Sequence, residues 1–254
     1  MIPYRDENPT LKTPVVTYAI VALNVLVWIL VQGAGTTLPL AKSVCELGLI
    51  PGQLTGRAAV GTAIRMGPHL FCRVDAAHHY QNVLTSMFLH GSWMHIIMNM
   101  WFFWIFGNNI EDSMGRLRFI VFYLACGTAA AAAQVLMDPA SPVPVVGASG
   151  AISGVMGAYL VLYPRVRVYT LVPLGFFLTT IALPAWVMLG YWIVLQFLGG
   201  LPQLAGAQSN GGVAFWAHIG GFVVGAAAIK MFANSAYLES RRQNPWAPQH
   251  VRWG

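Results

Sequence analysis

The chain has 254 residues, 57% hydrophobic and only 9% charged, with a formal net charge of +6. A soluble domain carries about 25% charged residues, so this composition cannot cover a water-facing surface and excludes an ordinary soluble enzyme. In so apolar a chain the excess of Lys and Arg sets membrane orientation and is no footprint for nucleic acid; we expect an all-α polytopic membrane protein.

A span needs about 20 apolar residues. In chain order the predicted spans are 14–32, 93–110, 117–137, 149–163, 184–200 and 213–233. The first follows Arg5 and Lys12 and opens into further membrane segments, so it reads as a retained helix and not as a signal peptide. Residues 35–92 mix Lys42, Glu46, Arg57, Arg65, Arg73 and Asp75 with Val44, Leu49, Ile50 and Phe71. This large first loop is expected to fold and to lie partly in the interface. Cys45 and Cys72 share it, and both a disulfide and chance co-occurrence stay open. Cys126 reads as a small core residue. The stretch 166–183 is long enough to span, but Pro173 and Gly175 interrupt it and β-branched and aromatic residues fill it. We read it as extended or interfacial. Residues 1–233 then form one membrane domain, and 234–254 a flexible cytoplasmic tail.

Six spans place both termini on one side with Arg5, Lys12, Arg116, Arg118, Arg165, Arg167, Lys230, Arg241, Arg242 and Arg252. The other side has only Lys42, Arg57, Arg65 and Arg73, all in the long loop, and connections 138–148 and 201–212 have no Lys or Arg. The termini are therefore expected in the cytoplasm.

Four polar residues interrupt this apolar frame: His95, Asn99, Ser149 and His218. An ionisable group inside a membrane is a functional-site hypothesis by default. The second, fourth and sixth spans all start from the outer face, so His95, Ser149 and His218 lie toward one side. Asn99 follows His95 by four residues and shares its helix face. The fourth span is short: at 1.5 Å per residue it covers about 22 Å against a hydrocarbon core of ~30 Å. Ser149 must then start below the outer surface, under irregular backbone from Asp138 to Gly147 that is either buried in protein or facing a water-filled cavity. The unpaired N–H groups and positive dipole at that helix start suit a developing oxyanion. Gly150, Gly154 and Gly157, opposite Gly221 and Gly225, would let the fourth and sixth spans approach closely. Ser149 and His218 then make a nucleophile–base dyad.

Each element alone has a plainer reading. Ser149 could cap a helix, His218 and Asn99 could be interhelical hydrogen-bonders, and the glycines could mean packing alone. His78, His79, His90 and His95 read as scattered loop and interface residues, and no metal site is expected. Glu111 and Asp112 read as interfacial, tied to Arg116.

With these residues in place, the chain resembles the rhomboid family of intramembrane serine proteases. The matching motifs are His90-Gly-Ser-Trp-Met-His95-Ile-Ile-Met-Asn99, Gly147-Ala-Ser149-Gly150, and Ala217-His218-Ile-Gly-Gly221 with Gly225; Glu111 also fits a family position. The resemblance implies a six-helix bundle with Ser149 as nucleophile, His218 as general base, and His95 and Asn99 beside the Ser149 N–H as oxyanion donors. It implies transmembrane protein substrates cut near the outer face, lipid contact and no cofactor. The expected location is a bacterial inner membrane with the site toward the outer face.

Two departures stand out. Gln81-Asn82 occupies the place of a Trp-Arg pair that many members carry in the first loop. Ser153 stands where many members have an aromatic that packs on the histidine. Either the imidazole is less firmly held here, or Trp216 or Phe215 substitutes. The competing reading is a catalytically silent relative that binds and guides transmembrane helices; such proteins typically lack the serine or the histidine, and both are present. A small transporter finds no Asp or Glu within the spans to couple ions. Substrate and oligomeric state stay open.

Overall fold

In lipid only structures that satisfy every backbone polar group internally can cross, and the apolar runs fold accordingly as helices. The computed structural model describes residues 2–67, 69–174, 177–204 and 212–243. Its elements are β1 (Ile2–Asp6), α1 (Val15–Leu30), α2 (Thr37–Leu47), α3 (Pro51–Leu54), β2 (Ala63–Arg65), β3 (Phe71–Arg73), α4 (Asn82–Thr85), α5 (Trp93–Met114), α6 (Arg116–Met137), α7 (Ser149–Leu162), β4 (Arg167–Leu174), β5 (Phe177–Pro184), α8 (Ala185–Leu204), α9 (Phe215–Phe232) and α10 (Ser235–Arg242). The result is an all-α polytopic membrane bundle built on α1 and α5 to α9. Of these, α6, α8 and α9 are long and apolar enough to cross a bilayer alone, while α1 and α7 are shorter apolar helices.

Helix α7 is the centre. Every residue from Gly150 to Tyr159 is buried, as expected of a helix that is apolar all round. Helices α5, α6, α8 and α9 surround it. Against α9 the backbones nearly touch. A Cβ added at Gly221 would lie 2.0 Å from the Gly150 carbonyl oxygen, and one at Gly225 equally close to that of Gly154. Gly150 and Gly154 themselves make room for Ala130 and Cys126 of α6. The small residues thus set α7 tightly against two neighbours.

Across 166–183, β4 and β5 pair antiparallel. Arg167 of β4 pairs with Pro184 of β5, so the chain returns to the end of the bundle where it left α7 and makes no seventh span. β1 completes a sheet of order β1-β4-β5, with Ile2 opposite Leu171. The Trp101 indole N–H, from α5, donates to the Pro3 carbonyl at 2.5 Å.

That end of the bundle is polar inside. α1 has no side-chain cap of its own. Glu111 of α5 takes that role, accepting the N–H groups of Val16 and Thr17 at 3.0 and 2.7 Å and the Thr17 hydroxyl at 2.8 Å. Asp112 accepts from the Leu11 N–H at 2.8 Å and pairs with buried Arg241. Glu111 and Asp112 therefore tie to α1 and to Arg241, where the sequence suggested Arg116. The tail also differs from expectation: residues 235–242 form α10, and the Arg241 guanidinium donates to Asn8 Oδ1 at 2.7 Å and Asn109 Oδ1 at 2.8 Å. Positions 244–254 lie outside the described residues.

At the opposite end the first loop is folded and pinned down. Cys45 of α2 and Cys72 of β3 form a disulfide. Leu49 and Val145 exchange backbone hydrogen bonds at 3.0 and 2.7 Å, and the Gly52 N–H donates to the Ser141 carbonyl at 2.7 Å. Asn82 donates to the carbonyls of Glu46 and Gly48 at 3.0 and 2.9 Å, closing the end of α2. The irregular backbone ahead of α7 is thereby covered by protein, the condition for its survival at depth.

Candidate active site

Ser149 is the first residue of α7 and makes no cap to its own helix. Its hydroxyl faces α9, and Oγ lies 2.8 Å from His218 Nε2. The glycine contacts between α7 and α9 create this proximity, since Gly150 adjoins Ser149 and Gly221 follows His218 by less than a turn.

The hydrogen-bond pattern assigns the tautomers. His218 Nδ1 lies 2.8 Å from Gln196 Oε1 of α8. An amide oxygen only accepts, so Nδ1 carries the proton and Nε2 presents a lone pair to the Ser149 hydroxyl. The Trp192 ring, also from α8, leans on the imidazole with centroids 5.7 Å apart and planes at 37°. This fills the role for which Trp216 or Phe215 was expected. Trp216 instead packs on Phe197 and Gly200, and Phe215 on Gly199. Ser153 turns its hydroxyl back to the Ser149 carbonyl at 2.6 Å.

His95 is oriented by the loop before α5. The Gly91 N–H donates to His95 Nδ1 at 3.3 Å, which leaves Nε2 as the N–H. That edge lies beside Gly147, where a Cβ would sit 2.8 Å from His95 Nε2 and 3.3 Å from Ser149 Oγ. Gly147 has φ +134, a backbone only glycine adopts readily. Asn99, one turn below on α5, is buried, and its amide nitrogen has no hydrogen-bond partner. A buried unpaired donor costs free energy unless something else uses it. Behind His95 the ring of His90 stands edge-on at 5.1 Å. Burial pushes its imidazole down to about 3, with His95 adding to the effect, so His90 is neutral.

These groups border a cavity of about 940 Å³ whose wall includes His95, Asn99, Gln134, Ser149, Trp192 and His218. Its size and mixed polarity admit both a peptide segment and water. Among the described residues no cluster of His, Cys, Asp and Glu is arranged to hold a metal ion. Sequence reasoning missed Gln196 and Trp192. Their four-residue spacing was visible, but an amide on an apolar helix gives no sign of which partner it meets.

The Rhomboid domain family model matches residues 77–235. Among similar curated proteins, Rhomboid protease GluP of Bacillus subtilis is 38% identical over 78 residues, covering 31% of this chain and 15% of that protein. RHOMBOID-like protein 6, mitochondrial, of Arabidopsis thaliana is 38% identical over 78 residues, 31% of this chain and 25% of its own length. Rhomboid-like protease 5 of Toxoplasma gondii is 28% identical over 150 residues, 56% of this chain and 15% of its own. The chain thus spans a quarter or less of these relatives' length.

Proposed function

The chain belongs to the rhomboid family, and on that premise we propose that it is an intramembrane serine endopeptidase acting on transmembrane segments of other proteins. The observation that carries the reading is the 2.8 Å contact between an uncapped helix-start hydroxyl and an imidazole nitrogen free to accept. A substrate carbonyl over Ser149 would meet Oγ as nucleophile while His218 Nε2 takes the proton. The oxyanion would meet the Ser149 N–H, the positive end of α7, His95 Nε2–H and the unpaired Asn99 amide. His218 then returns the proton to the leaving amine, and water admitted by the cavity releases the acyl group. Two of the three relatives named above carry protease in their names, which supports the reaction class.

The proposed setting is a bacterial inner membrane with both termini cytoplasmic and the site toward the outer face. The distribution of Lys and Arg supports this orientation. So does the Cys45–Cys72 disulfide in the first loop, since such bonds persist in oxidising compartments. Fluorophosphonate labelling of the purified protein, beside cleavage of single-span proteins in liposomes, tests the proposal. Wild type should label and cleave, and Ser149→Ala should do neither while keeping its thermal unfolding profile. Equal cleavage by both, or no reaction by wild type, refutes it; the latter outcome fits a helix-guiding relative.

A further inference from the structure

Resting on the protease reading, we infer that Gln196 is the positioning residue for the general base, so that α8 is a working part of the catalytic apparatus. In the familiar triad a carboxylate holds the outer nitrogen of the imidazole and fixes its tautomer. No carboxylate lines this cavity among the described residues. Gln196 Oε1 stands in that place at 2.8 Å. A neutral amide oxygen satisfies Nδ1–H without the cost of a carboxylate among apolar helices.

The second support is the origin of the groups that hold His218. Ser153 of α7 is turned away to a backbone carbonyl. The ring contact and the hydrogen bond both come from α8, from Trp192 and Gln196 on one helical face. That face continues to Gly199 and Gly200, where α8 seats on Phe215 and Trp216 at the start of α9. Elsewhere α8 is held lightly: its buried residues are Ala185, Met188, Leu189 and Gly200, while Val194, Leu195 and Leu198 face outward. Withdrawal of α8 would remove the ring and the hydrogen-bond acceptor from the imidazole together. Base competence is thus conditional on α8 being seated.

Gln196→Leu keeps the size and deletes the acceptor. It should lower kcat and the fluorophosphonate labelling rate about ten- to hundredfold, the effect of losing one partly buried hydrogen-bond partner, with KM unchanged. Gln196→Glu restores the acceptor and adds an anion. Among the described residues the other titratable side chains on the cavity wall are His95 and Arg65, so the new carboxylate is the only anion among them. It favours the imidazolium, and because the base must be neutral to act, the acid limb of kcat/KM should move to higher pH while activity above that limb exceeds that of Gln196→Leu. Nitrogen-15 spectra of histidine-labelled protein in micelles give a readout independent of turnover: the Nδ1–H tautomer of His218 should dominate in wild type and give way to a mixture in Gln196→Leu. Wild-type kcat in Gln196→Leu overturns the inference. So does a Gln196→Glu profile with neither recovery nor a displaced acid limb, which decides the matter if Gln196→Leu does not fold. An inactive wild type whose His218 tautomer still depends on Gln196 would sink the protease reading and leave this contact standing.

Discussion

Gly221→Ala should separate the dyad without touching either of its members. The added Cβ would lie 2.0 Å from the Gly150 carbonyl oxygen, a backbone atom that cannot swing aside. An ordinary contact of this type is about 3.3 Å, so α9 must retreat from α7 by about 1 Å or more. Ser149 adjoins Gly150 and His218 precedes Gly221 by less than a turn, so most of that shift reaches the pair. Their separation would grow from 2.8 Å to about 3.8 Å, beyond hydrogen-bond reach. A misplacement of about 1 Å in a reacting constellation costs about a hundredfold, and overpacking adds about 1–3 kcal/mol of destabilisation. The assay is the rate of fluorophosphonate labelling, read beside thermal unfolding in detergent. Gly190→Ala is the control: nothing lies within 4 Å of its added Cβ, so labelling should be unchanged and the helix slightly firmer. A Gly221→Ala protein that labels within twofold of wild type would show that close packing does not set the dyad distance.

Other consequences follow from the two ends of the bundle. Arg241→Ala strands the buried Asp112 carboxylate and should cost about 3–5 kcal/mol, seen as a lower Tm; Arg241→Met with Asp112→Leu should recover part of it, and an unchanged Tm in the single variant would mean that α10 is not docked in solution. Burial raises the Asp6 carboxyl from 3.8 to about 7, against the pull of the Tyr159 hydroxyl. Between those two values the unfolded chain has lost the proton that the folded chain keeps, so stability should fall as pH rises from about 4 to about 7. Asp6→Asn should flatten that slope in Tm measured against pH, and an equal slope in both proteins would contradict the assignment. Cys72→Ser opens a link between positions 27 residues apart, worth about 3 kcal/mol; reductant should shift the electrophoretic mobility of wild type and leave that of the variant alone.

Much of this architecture could be read from residue types. Apolar runs mark helices because lipid admits few alternatives, and His95, Ser149 and His218 stood out as costly groups in a medium that penalises them. Other features depended on distant partners. Gln196 meets His218 across 22 positions, and nothing local distinguishes it from an amide facing lipid. Arg241 sits in a segment with a solvated composition, yet its anionic partner lies 129 positions away. Pro173 and Gly175 showed that 166–183 was no ordinary helix, but the strand that completes its sheet is β1, at the far end of the chain. The disulfide was equally illegible, since two cysteines in one loop carry no information about the fold between them.

The pairing of β1 with β4 also fixes an order of assembly. Ile2 to Asp6 are synthesised well before their partners at Val168 to Leu171, and Asn8 well before Arg241. The β1 arm must therefore stay unpaired until the helices between it and its partners have been translated and inserted. An arm that precedes the bundle in the chain is thus locked late, its docking waiting on a strand and a helix made long after it.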